Sequence, residues 1–189
     1  MPELILITGG SRSGKSRYAL RLGESLGTQR VFLATCPRGD AEMEQRIQHH
    51  AAERRSGGWQ THEEELDLAG ALASVGGDVV VVDCLTLWVS NMMFHAGEAA
   101  DALSESDVAA RCEEIISSCR ARPGAVLFVT NEVGLGIVPD NAVARRYRDL
   151  VGRCNQVVAA AADSASGATH HAPTGRWGDC STWPSTWRA

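Results

Sequence analysis

The amino-acid sequence predicts an α/β fold of three layers, with helices on both faces of a mostly parallel, doubly wound sheet. Three observations predict it. Short β-branched apolar runs recur along the chain, segments with helical apolar spacing separate them, and the first run ends in a glycine-rich turn that opens a helix. The 189 residues suit one compact domain.

Leu4-Ile5-Leu6-Ile7-Thr8 carries no alternation, as expected of a strand buried on both faces, and it stops at Gly9-Gly10. Residues 16–26 follow with Tyr18, Ala19, Leu22 and Leu26 on a helical period, and Gly27 is placed to end that helix. Val31-Phe32-Leu33-Ala34-Thr35 reads as a second strand, followed by a Pro37-Arg38-Gly39 loop. A polar helix is expected from Asp40 or Ala41 to about Arg55, terminated by Gly57-Gly58. Val79-Val80-Val81-Val82-Asp83 is the third strand and leads into a helix over 85–94. Past a stretch rich in Gly, Ala, Asp and Ser, a helix is expected over 108–122, and then a fourth strand at Ala125-Val126-Leu127-Phe128-Val129-Thr130. A helix over 140–162 completes the series, with Pro139 suited to its start. Parallel strands in this order require crossovers, which are right-handed as a rule.

Residues 164–189 are of another kind. They hold three of the five Trp and a His170-His171 pair without periodicity, and they read as an irregular tail on a domain spanning 1–163. The charge of −5 argues against a nucleic-acid partner, whose phosphates demand a basic face. The longest apolar run, Val79-Val80-Val81-Val82, is far too short to span a bilayer. Six cysteines show neither CxxC pairing nor zinc-ligand spacing, and no signal-peptide pattern is present, so reduced thiols in the cytoplasm are expected.

The strongest chemical signal is Gly9-Gly10-Ser11-Arg12-Ser13-Gly14-Lys15-Ser16, a complete GxxxxGK[ST] motif between a buried strand and a helix. Glycines let the backbone wrap close to phosphate with its N–H groups turned inward, and the helix N-terminus adds its positive end. Lys15 then reaches the β- and γ-phosphates of GTP or ATP, and the Ser16 hydroxyl serves a Mg²⁺ ion. Asp83, ending a buried strand, stands where the second carboxylate of such a metal site belongs. The alternative for Asp83 is a carboxylate that only caps the next segment.

Arg46-Ile47-Gln48-His49-His50-Ala51-Ala52-Glu53-Arg54-Arg55 lies on the polar helix, with Arg46 and His50 on one face. Imidazole can act as a base or as a nucleophile. Spacing alone favours a solvated pair, and adjacent histidines diverge too far on a helix to share a metal. Glu63, Glu64 and Glu65 read most simply as a solvated charge run.

Several separated motifs together resemble the bifunctional adenosylcobinamide kinase / adenosylcobinamide-phosphate guanylyltransferases of cobalamin biosynthesis. They are the phosphate loop with Thr8 and Arg17, Ala34-Thr35, Glu42-Met43 with Arg46-Ile47-Gln48-His49-His50, and Asp83-Cys84-Leu85-Thr86 with Asn91. Thr130-Asn131-Glu132-Val133-Gly134-Leu135-Gly136-Ile137-Val138-Pro139 is the most distinctive, followed by Arg145, Tyr147-Arg148-Asp149, Gly152 and Asn155-Gln156. The resemblance covers about residues 4–163 and implies a P-loop NTPase fold of the RecA-like type.

It also implies two reactions. ATP or GTP phosphorylates the aminopropanol hydroxyl of adenosylcobinamide. GTP then passes GMP through a histidine to the cobinamide phosphate, giving adenosylcobinamide-GDP. The family's guanylylated histidine falls on His49-His50, with His50 favoured for its face shared with Arg46 and Arg54. By the same resemblance Ala34, Thr35, Cys36, Ala51, Ala52, Glu53, Arg54 and Glu63 are nucleotide contacts, with Glu63 suited to the guanine N1–H and N2 amino group. A homotrimer is implied as well. In family members a last apolar strand follows the equivalent of Ala161-Ala162-Asp163, and residues 164–189 stand in its place here. A P-loop small-molecule kinase lacking guanylyl transfer, with no role for His49-His50, and a non-catalytic nucleotide switch are the competing readings.

Overall fold

The computed structural model describes residues 2–37, 54, 57–97, 103–169 and 172–177. Seven strands form one sheet: β1 (Glu3–Gly9), β2 (Arg30–Ala34), β3 (Trp59–Glu63), β4 (Val79–Asp83), β5 (Ala125–Val129), β6 (Ser164–Thr169) and β7 (Ala172–Trp177). Five described helices connect them: α1 (Lys15–Leu26), α2 (Leu68–Ser74), α3 (Leu85–Ala96), α4 (Glu105–Ala121) and α5 (Ala142–Ala161). The strand order is β3-β2-β4-β5-β1-β6-β7. All neighbours are parallel except β7, which runs antiparallel to β6.

The central strands are apolar throughout because both of their faces are covered. Val79, Val80, Val81 and Val82 are each 0% exposed. Their side chains divide by parity, as strand geometry requires. Leu4, Leu6, Val80, Val82, Val126 and Phe128 meet the side of α2 to α5, against Leu72, Trp88, Ile115 and Leu150. Ile5, Ile7, Val79, Val81, Leu127 and Val129 meet the opposite side, against Ala19 and Leu22 of α1. Three layers result, as the sequence predicts.

Local signals set the helix ends. Ser104 and Asp107 form a reciprocal capping box, so α4 starts at Glu105, three residues before the expected 108. Asn141 accepts from the N–H groups of Val143 and Ala144 and starts α5 there. Two elements are additions to the sequence analysis. Strand β3 follows the Gly57-Gly58 turn, with Trp59 buried at 3% exposure and Gln60 to Glu63 exposed. Helix α2 is capped by Asp67, whose side chain accepts from Gly70 N–H. The expected helix from 40 or 41 to 55 lies outside the described residues, apart from Arg54.

The expectation of an irregular tail after residue 163 requires correction. Residues 164–169 form β6, paired in parallel with β1 from Ile5↔Ser164 to Gly9↔Ala168, and residues 172–177 form β7. The cause is tertiary. Strand β1 lies inside the sheet, and its backbone groups on the side away from β5 need partners whatever the incoming side chains are. Ala165 and Ser166 are small enough to be buried there, at 3% and 4% exposure. Asp163 aligns the strand: its carboxylate accepts from Leu4 N–H at 2.8 Å and pairs with Arg120 at 2.9 Å. The sheet therefore extends past 163.

Two stability tests follow. A chain truncated after Asp163 loses the whole β6 pairing, so its thermal unfolding midpoint should fall by well over 10 °C, read by circular dichroism. Gly124 has φ 83° and its missing Cβ would overlap the Asp78 carbonyl oxygen. Gly124→Ala should therefore cost at least about 2 kcal/mol in urea unfolding.

Candidate active site

The strands end in register. Glu63, Ala34, Asp83, Val129 and Ile7 are successive partners across β3, β2, β4, β5 and β1. Polar residues gather at this row: Glu63 and Asp83 stand in it, and Thr8, Thr35 and Thr130 follow it immediately.

At the end of β1 the chain turns through the phosphate loop. Gly9, Arg12 and Gly14 have φ of 145°, 57° and 87°, all in the region that favours glycine. Gly14 is the N-cap of α1 and makes no side-chain cap hydrogen bond. Having no side chain to offer, it leaves the first-turn N–H groups to a ligand. Ser11, Arg12 and Ser16 are exposed around this opening, and Ser13 is half-buried. Lys15 is only 7% exposed and folds over the loop, its Nζ donating to Gly10 O at 2.5 Å and to Ser13 Oγ at 3.4 Å. Burial holds its pKa below the usual lysine value, while the charges of Asp83 and Glu132 work against that shift. Its ammonium thus sits in a field that a triphosphate would reinforce.

Asp83 is half-buried at the end of β4, two strands from Ile7, about 10 Å along the sheet. Thr35 is fully buried: its hydroxyl accepts from Cys84 N–H at 2.7 Å and donates to Cys84 O at 2.8 Å. Its hydroxyl thereby fastens β2 to the turn after Asp83. Asn91 binds Thr35 O from α3 at 2.8 Å. Beyond Cys84, the Thr86 hydroxyl accepts from Asn131 Nδ2 at 2.9 Å and the Thr86 carbonyl from Tyr147 OH at 3.1 Å. Thr130 donates to Asn155 Oδ1 at 2.6 Å, so α5 is tied to the end of β5.

Ala34 is buried in strand pairing, with its carbonyl accepting from Glu64 N–H at 3.0 Å, and Cys36 is half-buried. Arg54 is 8% exposed and lies over the Phe32 ring at 3.9 Å, with Nε 3.4 Å from Thr61 Oγ1. Glu63 is exposed at the end of β3, four strands from Ile7 and about 19 Å along the sheet. The expected nucleotide contacts therefore form two groups, one around β1 and one at the ends of β2 and β3. His49, His50, Ala51, Ala52 and Glu53 lie outside the described residues.

Sequence reasoning left open whether Asn131-Glu132 faces a ligand or is a loop held by Asx-type hydrogen bonds, and named no reaction role for Glu132. It stands beside the phosphate loop, its N–H donating to Gly9 O at 3.2 Å and its carboxylate accepting from the Thr8 hydroxyl. Its place in the motif beginning Thr130-Asn131-Glu132 was the available signal.

Strand β5 stands between the loop-bearing β1 and the carboxylate-bearing β4, the RecA-like arrangement, and the phosphate loop is complete. Fold and site together define a P-loop protein built to hold a nucleoside triphosphate. A model of the cobinamide kinase / cobinamide phosphate guanyltransferase family (CobU) matches residues 5–173, and the chain belongs to that family.

Among curated relatives, the bifunctional adenosylcobalamin biosynthesis protein CobU of Salmonella typhimurium is 41% identical over 85% of this chain and 92% of its own. CobU of Escherichia coli is 40% identical over the same shares. The bifunctional adenosylcobalamin biosynthesis protein CobP of Pseudomonas aeruginosa is 41% identical over 82% of this chain and 86% of its own. Among solved structures, a KaiC-like protein of Pyrococcus horikoshii aligns with a TM-score of 0.49 and 12% identity, over 87% of this chain and 70% of that one.

Thr35→Val should cost about 1–3 kcal/mol of stability in urea unfolding, since it strands the buried Cys84 N–H and leaves the Cys84 carbonyl with its bond from Trp88 N–H alone.

Proposed function

We propose that this chain carries out both reactions named by its family. It phosphorylates the aminopropanol hydroxyl of adenosylcobinamide with ATP or GTP. It then transfers GMP from GTP, by way of a histidine, to adenosylcobinamide phosphate and forms adenosylcobinamide-GDP. The observation that carries this reading is the complete phosphate loop at the end of β1, in a chain that matches the family over residues 5–173.

In the kinase half, the substrate hydroxyl oxygen bonds to the γ-phosphorus and the nucleoside diphosphate leaves. Loop N–H groups and Lys15 hold the phosphates in line and offset their charge. In the transferase half, an imidazole nitrogen attacks the α-phosphorus of GTP and pyrophosphate leaves. A phosphate oxygen of the cobinamide phosphate then takes the GMP and frees the imidazole. His50 is our choice for that nucleophile, with His49 as the alternative.

Ser16 and Asp83 would hold Mg²⁺, since a hydroxyl and a carboxylate are the hard oxygen donors it prefers. Bound with the nucleotide, the ion would neutralise charge on the phosphate oxygens. Glu63 and Arg54 line the end of β2 and β3, which suits that region to the guanosine end of the nucleotide. No helix among the described residues is long and apolar enough to cross a membrane. By family resemblance the enzyme works in the cytoplasm as a homotrimer, so light scattering should return three times 20.2 kDa.

Labelled GTP tests the reading. Label from the α-phosphate should remain on the protein, stable in base and released by acid, and should vanish in His50→Ala. Label retained in His50→Ala but lost in His49→Ala would move the role to His49. No retained α-label in the wild type, with kinase turnover intact, would reduce the protein to a simple kinase. Lys15→Ala should lose at least a hundredfold in both activities.

A further inference from the structure

Asp83 and Glu132 are the two carboxylates whose charges act on Lys15. Asp83 has a role in the reading above, but Glu132 has none. Glu132 lies just past the end of β5, the strand flanked by the loop-bearing β1 and by β4. Its backbone is fixed by the 3.2 Å bond to Gly9 O, and its half-buried carboxylate is oriented by the Thr8 hydroxyl. A carboxylate so placed is held beside the phosphate loop by two contacts to the strand that opens it.

We propose that Glu132 is the catalytic base of the kinase step and of that step alone, an inference that rests on the function proposed above. Three groups attack phosphorus in that reaction sequence, and they differ in one respect. The substrate alcohol carries a proton that it must lose. A neutral imidazole attacks through a lone pair, and the phosphate oxygen of the second acceptor is already ionised. Only the alcohol needs a base. In the step, the hydroxyl proton moves to a Glu132 carboxylate oxygen as the alcohol oxygen bonds to the γ-phosphorus. The bond from that phosphorus to the β–γ bridging oxygen breaks, and its electron pair leaves with the nucleoside diphosphate. Glu132 returns its proton to water after product release.

Glu132→Gln is the test, because the amide oxygen can still accept from Thr8 while the basic oxygen is gone. Kinase kcat with ATP and adenosylcobinamide should fall by about a hundredfold or more, with the KM for ATP little changed. Guanylylation of the protein by α-labelled GTP, and transfer to supplied adenosylcobinamide phosphate, should proceed at the wild-type rate. Kinase activity within a few-fold of wild type would overturn the inference. So would a parallel loss of both activities, which would make Glu132 a support of the loop. A wild-type protein that does not phosphorylate adenosylcobinamide would sink the underlying function instead.

Discussion

Burial on both faces is the constraint from which the rest of this molecule follows. A strand such as Val79 to Val82, with every side chain in the core, has no position for a polar group along its length. Chemistry is pushed to the point where the strand stops. Because β2, β4, β5 and β1 stop in one row, Thr35, Asp83, Thr130 and Thr8 arrive together, although they lie far apart in the chain. Parallel pairing makes this possible, since it sets all the C-terminal ends on one side.

That row is held by a network of hydrogen bonds. Thr35 clasps both backbone groups of Cys84, Asn91 clasps Thr35, and Asn131 and Tyr147 converge on Thr86. The bonds link three strand ends to α3 and α5, so the turn after Asp83 is anchored from several directions. Against this scaffold the phosphate loop stays open in a chemical sense. A glycine cap leaves the N–H groups of α1 to an incoming anion, and Lys15 is buried among opposing charges that leave it ready for a phosphate.

The segment after Asp163 shows how backbone demand can outweigh side-chain pattern. Ser-Ala-Ser-Gly carries little strand preference, yet it occupies the slot beside β1. An open ladder of backbone donors and acceptors on a buried strand is costly, and any chain able to lie flat there relieves it. The family match, which runs on to residue 173, reaches past this point as well.

The sequence by itself determined the four core strands, the phosphate loop and the likeness to a family. These depend on local signals: uninterrupted apolar runs, glycines at fixed offsets, and motifs read in order. It did not reveal β3, where one buried Trp59 is followed by exposed Gln60, Thr61, His62 and Glu63, because a strand near the rim of a sheet has little apolar pattern to show. It did not reveal β6, whose place is decided by the vacant side of β1. Nor could it show that the Thr35 hydroxyl is bonded to both backbone groups of Cys84, or that Lys15 folds back over its own loop, since only packing sets those partners. Tertiary structure alone decided that Glu132, 124 residues from Thr8 in the chain, stands beside the phosphate loop, because the register of parallel strands rather than any local preference brought the two together.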